Sequence, residues 1–154
     1  MMRRVVLILL LTLTLISQQG EVAAQGSSAS LELRPKSCKA IVTEGARSAE
    51  AVCTKIVINT FRENLSSITF VVRDSAGTWH FLQTYIKGTQ VAQAAQQGSQ
   101  QAFDVFRFFV FPADQAGKKP TERLPLQGTC RLSQAEIACR TNDTMLGFVA
   151  EATM

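Results

Sequence analysis

Between Ser67 and Tyr85 the chain reads SITFVVRDSAGTWHFLQTY. Ile68, Phe70 and Val72 alternate with Thr69, Val71 and Arg73, the two-residue period of a strand that buries one face. Asp74-Ser75-Ala76-Gly77 then supplies an Asp to open a turn and a Gly to close it. Past the turn, Trp79, Phe81 and Tyr85 alternate with His80, Leu82 and Thr84. A four-residue turn sets Val72 opposite Trp79 and Phe70 opposite Phe81. Large apolar side chains then share one face of an antiparallel pair, where cross-strand contacts stabilise a sheet. A chain with this hairpin at its middle is committed to antiparallel β-structure around it.

The cysteines point the same way. Four thiols allow three pairings, but local turn chemistry favours one. Pairing Cys38 with Cys53 puts Glu44-Gly45-Ala46-Arg47 at a hairpin tip. Pairing Cys130 with Cys139 puts Ser133-Gln134-Ala135-Glu136 at another, with Leu132 facing Ile137. Each bridge then staples its own hairpin, worth about 2–4 kcal/mol through the unfolded state. Neither pair has the close Cys-x-x-Cys spacing of a zinc site, and the chain has a single histidine, so no metal or cofactor is expected. Disulfides of this kind belong to an oxidising compartment.

The N-terminus agrees with that compartment. Arg3 and Arg4 precede an apolar run from Val5 to Ile16, and Val22-Ala23-Ala24 reads as a small-residue cleavage site, so residues 1–24 are expected to be a cleaved secretory signal peptide. The run is too short to span a bilayer, which needs about 20 residues in a helix, so no stable membrane insertion is expected. Residues 25–154 then form one disulfide-stapled β-domain, periplasmic or extracellular. Taking Arg3, Arg4 and Glu21 from 16 basic and 12 acidic residues leaves a formal charge of +3. That charge is scattered among acids, which argues against a nucleic-acid partner.

Further strands are expected over Leu31–Val42, with Pro35 marking an edge or an entry bend, and over Glu50–Phe61. Lys55-Ile56-Val57-Ile58 suggests a central place for the latter. Residues 86–102 interrupt the pattern: they carry six glutamines between Gln90 and Gln101 among alanines. They read as a polar surface loop or weak helix, capped by Thr89 if helical, without enough large apolar residues to dock well. Phe103–Phe111 resumes as a strand apolar on both faces, with Phe106, Phe108 and Val110 on one side and Phe103, Val105, Arg107, Phe109 and Phe111 on the other. Three more strands follow, with Asn142-Asp143 as the last turn. About eight short strands with at most one weak helix indicate an antiparallel sandwich or small barrel.

Catalytic chemistry is sparse. His80 sits mid-strand, on the face opposite Trp79 and Phe81 and beside Val71, and no Gly-x-Ser-x-Gly elbow, phosphate loop or calcium loop accompanies it. The favoured expectation is a non-enzymatic, inhibitor-like module that binds an unidentified protein in the exported compartment. Its candidate surface is Phe103, Arg107, Phe109 and Phe111, aromatics and Arg being the side chains enriched at binding hot spots. Lys118, Lys119 and Arg123, a short basic cluster in a Gly/Pro-bounded loop that reads first as a solvated loop, are included among the candidate binding residues. An alternative is a carrier holding a small apolar ligand in a barrel or cleft lined by Trp79, Phe81, Phe106 and Phe108. A second is a hydrolase built on paired carboxylates.

Overall fold

The computed structural model describes residues 29–112, 127–142 and 146–154. The expected leader, the basic loop of Lys118, Lys119 and Arg123, and part of the Asn142-Asp143 turn lie outside them. Nine strands follow one another in the order β1 (Ala29–Leu33), β2 (Ser37–Glu44), β3 (Arg47–Phe61), β4 (Leu65–Asp74), β5 (Trp79–Lys87), β6 (Gln101–Pro112), β7 (Gly128–Leu132), β8 (Glu136–Thr141) and β9 (Leu146–Thr153), with a single-turn helix α1 (Val91–Ala94) between β5 and β6. All pairings are antiparallel. The ring β3-β2-β9-β8-β7-β6-β5-β4 closes when β4 returns to β3, so the fold is an eight-strand barrel.

The ninth strand explains the count. Both β1 and β2 pair with the same edge of β3, β1 over Ile56–Thr60 and β2 over Arg47–Val52. They are one strand broken at Arg34-Pro35-Lys36, because proline has no N–H for the ladder. Pro35 therefore marks an internal break beside the barrel's longest strand. The central place expected for Lys55–Ile58 is realised: Ile56–Ile58 pairs with β1 on one side, and the whole stretch with β4 on the other.

Both disulfides form as expected. Cys38 is joined to Cys53 with Cα atoms 5.1 Å apart, and Cys130 to Cys139 at 4.0 Å. Gly45 takes a φ of +60° and Glu44 faces Arg47, so the first hairpin turns through two residues with glycine leading. In the other, Ser133 Oγ accepts from the amides of Ala135 and Glu136 at 3.3 and 3.1 Å, satisfying donors that the tight turn would otherwise leave open.

The central hairpin is present in a different register. Gly77 N–H donates to Asp74 O and Asp74 N–H to Thr78 O, both at 3.0 Å, and Gly77 sits at φ +86°. An i→i+3 bond closing on a left-handed glycine is the three-residue hairpin loop, one residue longer than the two-residue loop of the expected pairing. The change of one residue flips a whole face. Arg73 faces Trp79, Val72 faces His80, and Phe70 faces Leu82. Phe70, Val72 and Leu82 point inward, while Trp79 and Phe81 join Val71 and Arg73 outside. His80 thus shares the inner row with Val72, where Val71 was expected beside it.

The interior is filled by side chains of unequal size. Ile56, Ile58, Ile68, Phe70, Leu82 and Ile86 crowd in from β3, β4 and β5, each fully buried. Opposite them β2 and β9 offer Ala40, Ala150 and Ala152, leaving space for Phe148, whose ring stacks on Phe108 and meets Phe70 edge-on. Mixing large and small inward residues is how a small barrel closes without a void.

The glutamine-rich segment differs from expectation. Helix α1 is short, but it packs against β3 with Val91 and Ala94 fully buried. Ala94 and Ala95 are small enough to let its backbone approach the core closely, so large apolar residues are not needed. Its N-cap is Gln90 with no side-chain cap bond, so Thr89 does not serve as expected. Of the glutamines that follow, Gln96 Nε2 donates to Ala92 O and Gln101 Nε2 to Gln97 Oε1 locally, and Gln97 O accepts from the Gln134 amide of the β7–β8 turn.

Candidate interaction surface

Phe103–Phe111 does not alternate cleanly. Tyr85 pairs with Arg107 and Ile86 with Val105, so Phe106 is an extra residue, a β-bulge. Up to Val105 the odd-numbered positions look inward; past the bulge Phe108 does. The expected face of Phe103, Arg107, Phe109 and Phe111 is therefore split. Phe103 packs on the core, while Arg107 is exposed on the outside. Phe109 faces outward yet is 8% exposed, because Tyr85 meets it edge-on with centroids 5.5 Å apart. The side chains of Phe111, Lys118, Lys119 and Arg123 are outside the described set. Arg107 and Phe106 are brought together, the guanidinium carbon 5.8 Å from the ring centroid.

The cleft expected to be lined by Trp79, Phe81, Phe106 and Phe108 is not assembled. Phe108 is in the core, Phe106 is at the bulge, and Trp79 and Phe81 stand on the outer wall.

That outer wall carries the aromatic side chains the interior does not take. Phe61 and Tyr85 stack over β4 with centroids 6.4 Å apart, and Tyr85 continues to Phe109. They can do so because β4 presents Ser67 and Thr69 in this part of the wall. Ser67 lies fully buried, its Oγ without a hydrogen-bond partner.

Lower on the same wall two defects in the sheet coincide. Thr54 is the extra residue in a bulge between β3 and β4, since Cys53 faces Val72 and Lys55 faces Val71. Directly beside it β1 and β2 separate at Pro35. Interrupted pairing on both sides of β3 opens a hollow of about 420 Å³ lined by Glu32, Arg34, Thr54, Lys55, Val71 and Trp79. Trp79 is 40% exposed. Arg73 lies across from it, the guanidinium carbon 5.6 Å from the indole centroid, and its Nε donates to Gly77 O at 3.1 Å. Lys55 Nζ is 3.2 Å from Glu32 Oε2. One acid, Glu32, against Arg34 and Lys55 among its lining residues leaves the hollow positive. Pro35 is the sequence signal for its upper border; the Thr54 bulge has none.

His80 does have a partner. Its Nε2 donates to Asp74 Oδ2 at 2.8 Å, since an ionised carboxylate can only accept. Asp74 Oδ1 accepts from the Thr78 amide at 2.8 Å. These bonds, His80 first, hold the Asp74 carboxyl below the ordinary carboxylate value. The pair ties strand β5 to the turn that starts it.

Among the described residues no group of three His, Cys, Asp or Glu side chains could hold a metal ion, and no helix is long and apolar enough to cross a membrane. The two disulfides mark an oxidising, exported compartment. No family model, curated protein or solved structure matches the chain.

Proposed function

We propose that this protein is a non-enzymatic binding module that docks an acidic, extended segment of a partner protein in the hollow around Trp79. The observation that carries this reading is the placement of Trp79. A large aromatic side chain stands exposed at a concave, positively charged site, while the barrel interior is packed with its own side chains. Trp and Arg are the residue types that most often dominate binding energy, above all where a pocket lets them be desolvated. Arg34 and Lys55 supply charge complementarity to a carboxylate-bearing segment, which acts mainly on encounter rate and specificity. An interior filled by Phe70, Phe108, Phe148 and the isoleucines supports this reading over a carrier with its ligand inside the barrel.

Trp79 is the sole tryptophan, which makes the test specific. Protein labelled with 5-fluorotryptophan gives one fluorine resonance, to be followed while exported-protein fractions and acidic peptides are titrated in. The expected result is a saturable shift that disappears in the Arg34→Ala, Lys55→Ala double variant and persists in Arg131→Ala on the far wall. A resonance that no fraction or acidic peptide moves, or a shift indifferent to Arg34 and Lys55, defeats the proposal.

A further inference from the structure

Among the described residues β1 is the one strand of the sheet with a single neighbour. Its side toward β3 is paired over Ala29–Leu33, and its other side makes no hydrogen bond among the described residues. β1 lies above the break at Pro35, beyond the point where Lys36 N–H reaches Thr153 O and β9 ends. A row of open main-chain donors and acceptors is a template for another strand. Natural edges are blunted by short length, charged side chains, Pro or bulges. β1 is short, but Ala29–Leu33 contains no Lys, Pro or bulge, and its one charge, Glu32, points outward and is already matched by Lys55 at 3.2 Å.

We infer that β1 pairs antiparallel with β1 of a second copy of this chain, about a two-fold axis at Leu31. The register follows from side-chain chemistry. Leu31 and Leu33 face the core side and are only partly buried, whereas Ser30 and Glu32 face outward and are exposed. Antiparallel partners share a face, so apolar residues meet apolar ones only in registers that keep this parity. Centring on Leu31 pairs all five residues: Leu31 with Leu31 of the partner subunit, Ala29 with Leu33 of the partner subunit, and Ser30 with Glu32 of the partner subunit. Shifting one way by a residue pair sets Glu32 against Glu32 of the partner subunit, and directly opposed like charges destabilise. Shifting the other way sets Ser30 against itself and loses two of the five pairs. The sequence ASLEL is self-complementary in one register.

Sedimentation equilibrium of the intact, disulfide-bonded protein tests this. A reversible monomer–dimer equilibrium is expected. Ser30→Lys places an ammonium opposite Glu32 of the partner subunit twice per dimer and should tighten it about tenfold; Ser30→Glu should weaken it by about the same factor. Ser30 is exposed, so both variants should keep the wild-type circular dichroism. Added salt should shrink both effects. A protein that stays monomeric at millimolar concentration overturns the inference. So does a dimer whose affinity ignores Ser30, or one that both variants shift in the same direction.

Discussion

The ring of Phe108 lies on that of Phe148, with centroids 4.0 Å apart and planes 13° from parallel. The contact joins β6 to β9 across the barrel interior, and Phe70 closes on the other side of Phe148 at 6.4 Å. Phe148 is 2% exposed, and the inward residues beside it on β2 and β9 include Ala40 and Ala150, too small to refill its place. Phe148→Ala should therefore cost about 3–5 kcal/mol, the range for truncating a buried aromatic where the cavity persists. Phe148→Leu keeps most of the volume and should cost markedly less. Urea midpoints with unchanged slope are the measurement. Near-equal midpoints for Phe148→Ala and wild type would show that this stack does not hold the barrel.

Gly128 makes a contrasting prediction, because its missing side chain matters. It faces Val105 on one side and Thr141 on the other. A Cβ there would collide with the Arg140 carbonyl and sit 3.0 Å from Thr141 Cα. Backbone cannot swing aside as a flexible side chain can. Gly128→Ala should cost about 1–3 kcal/mol, the usual range for overpacking. Gly98 has no atom within 4 Å of the same position, so Gly98→Ala should be neutral or slightly stabilising through the unfolded state. Thermal midpoints of the two variants should separate to opposite sides of wild type, or nearly so.

Much of this architecture is legible in the sequence because it is local. The alternation in Ser67–Val72, the Gly45 and Ser133 turns and the cysteine spacings each act within a hairpin, and strand type and disulfide pairing follow from them. Register and faces are legible only where the loop length is. Gly77 can end a turn around a two-residue loop or serve as the left-handed third residue of a loop one residue longer; that choice decides which side of the wall Trp79 and Phe81 share. The bulge at Phe106 is set by what β5 and β7 need on either side of β6, so no pattern within FDVFRFFVF reveals it. Helix α1 shows the same limit: Val91 and Ala94 are poor hydrophobes by size, and only the barrel above which they sit makes them core. The hollow beside Trp79 combines a legible break at Pro35 with an illegible bulge at Thr54, and half of it was therefore out of reach.

The Asp74–His80 bond gives the hairpin a pH signature. Because the folded pKa of Asp74 lies below its ordinary 3.8, the folded state binds that proton less readily than the unfolded chain. The contribution is complete above the unfolded value and is lost as pH falls through the folded one. Asp74→Asn should thus be less stable than wild type at neutral pH, and the gap should narrow below about pH 4. Denaturation midpoints of both proteins between neutral and strongly acidic pH supply the test. A gap that is constant with pH would assign the loss to the amide's altered turn geometry instead of the carboxylate's charge.

The disulfides offer the sharpest check on topology. Cys130 faces Cys139 directly in the β7–β8 ladder, and Cys38 and Cys53 close a different hairpin on the β2–β3 side. Cys130→Ser should leave Cys139 open to alkylation after mild unfolding, with Cys38 and Cys53 still protected, and should cost about 2–4 kcal/mol. All four sulfurs are buried, so a freed Cys139 should react slowly in the native protein and quickly once β7 and β8 part. Mass mapping of alkylated peptides reads this directly. Reactivity at Cys38 or Cys53 in that variant would mean that the thiols exchange between hairpins, which a barrel holding the two pairs in separate ladders should prevent.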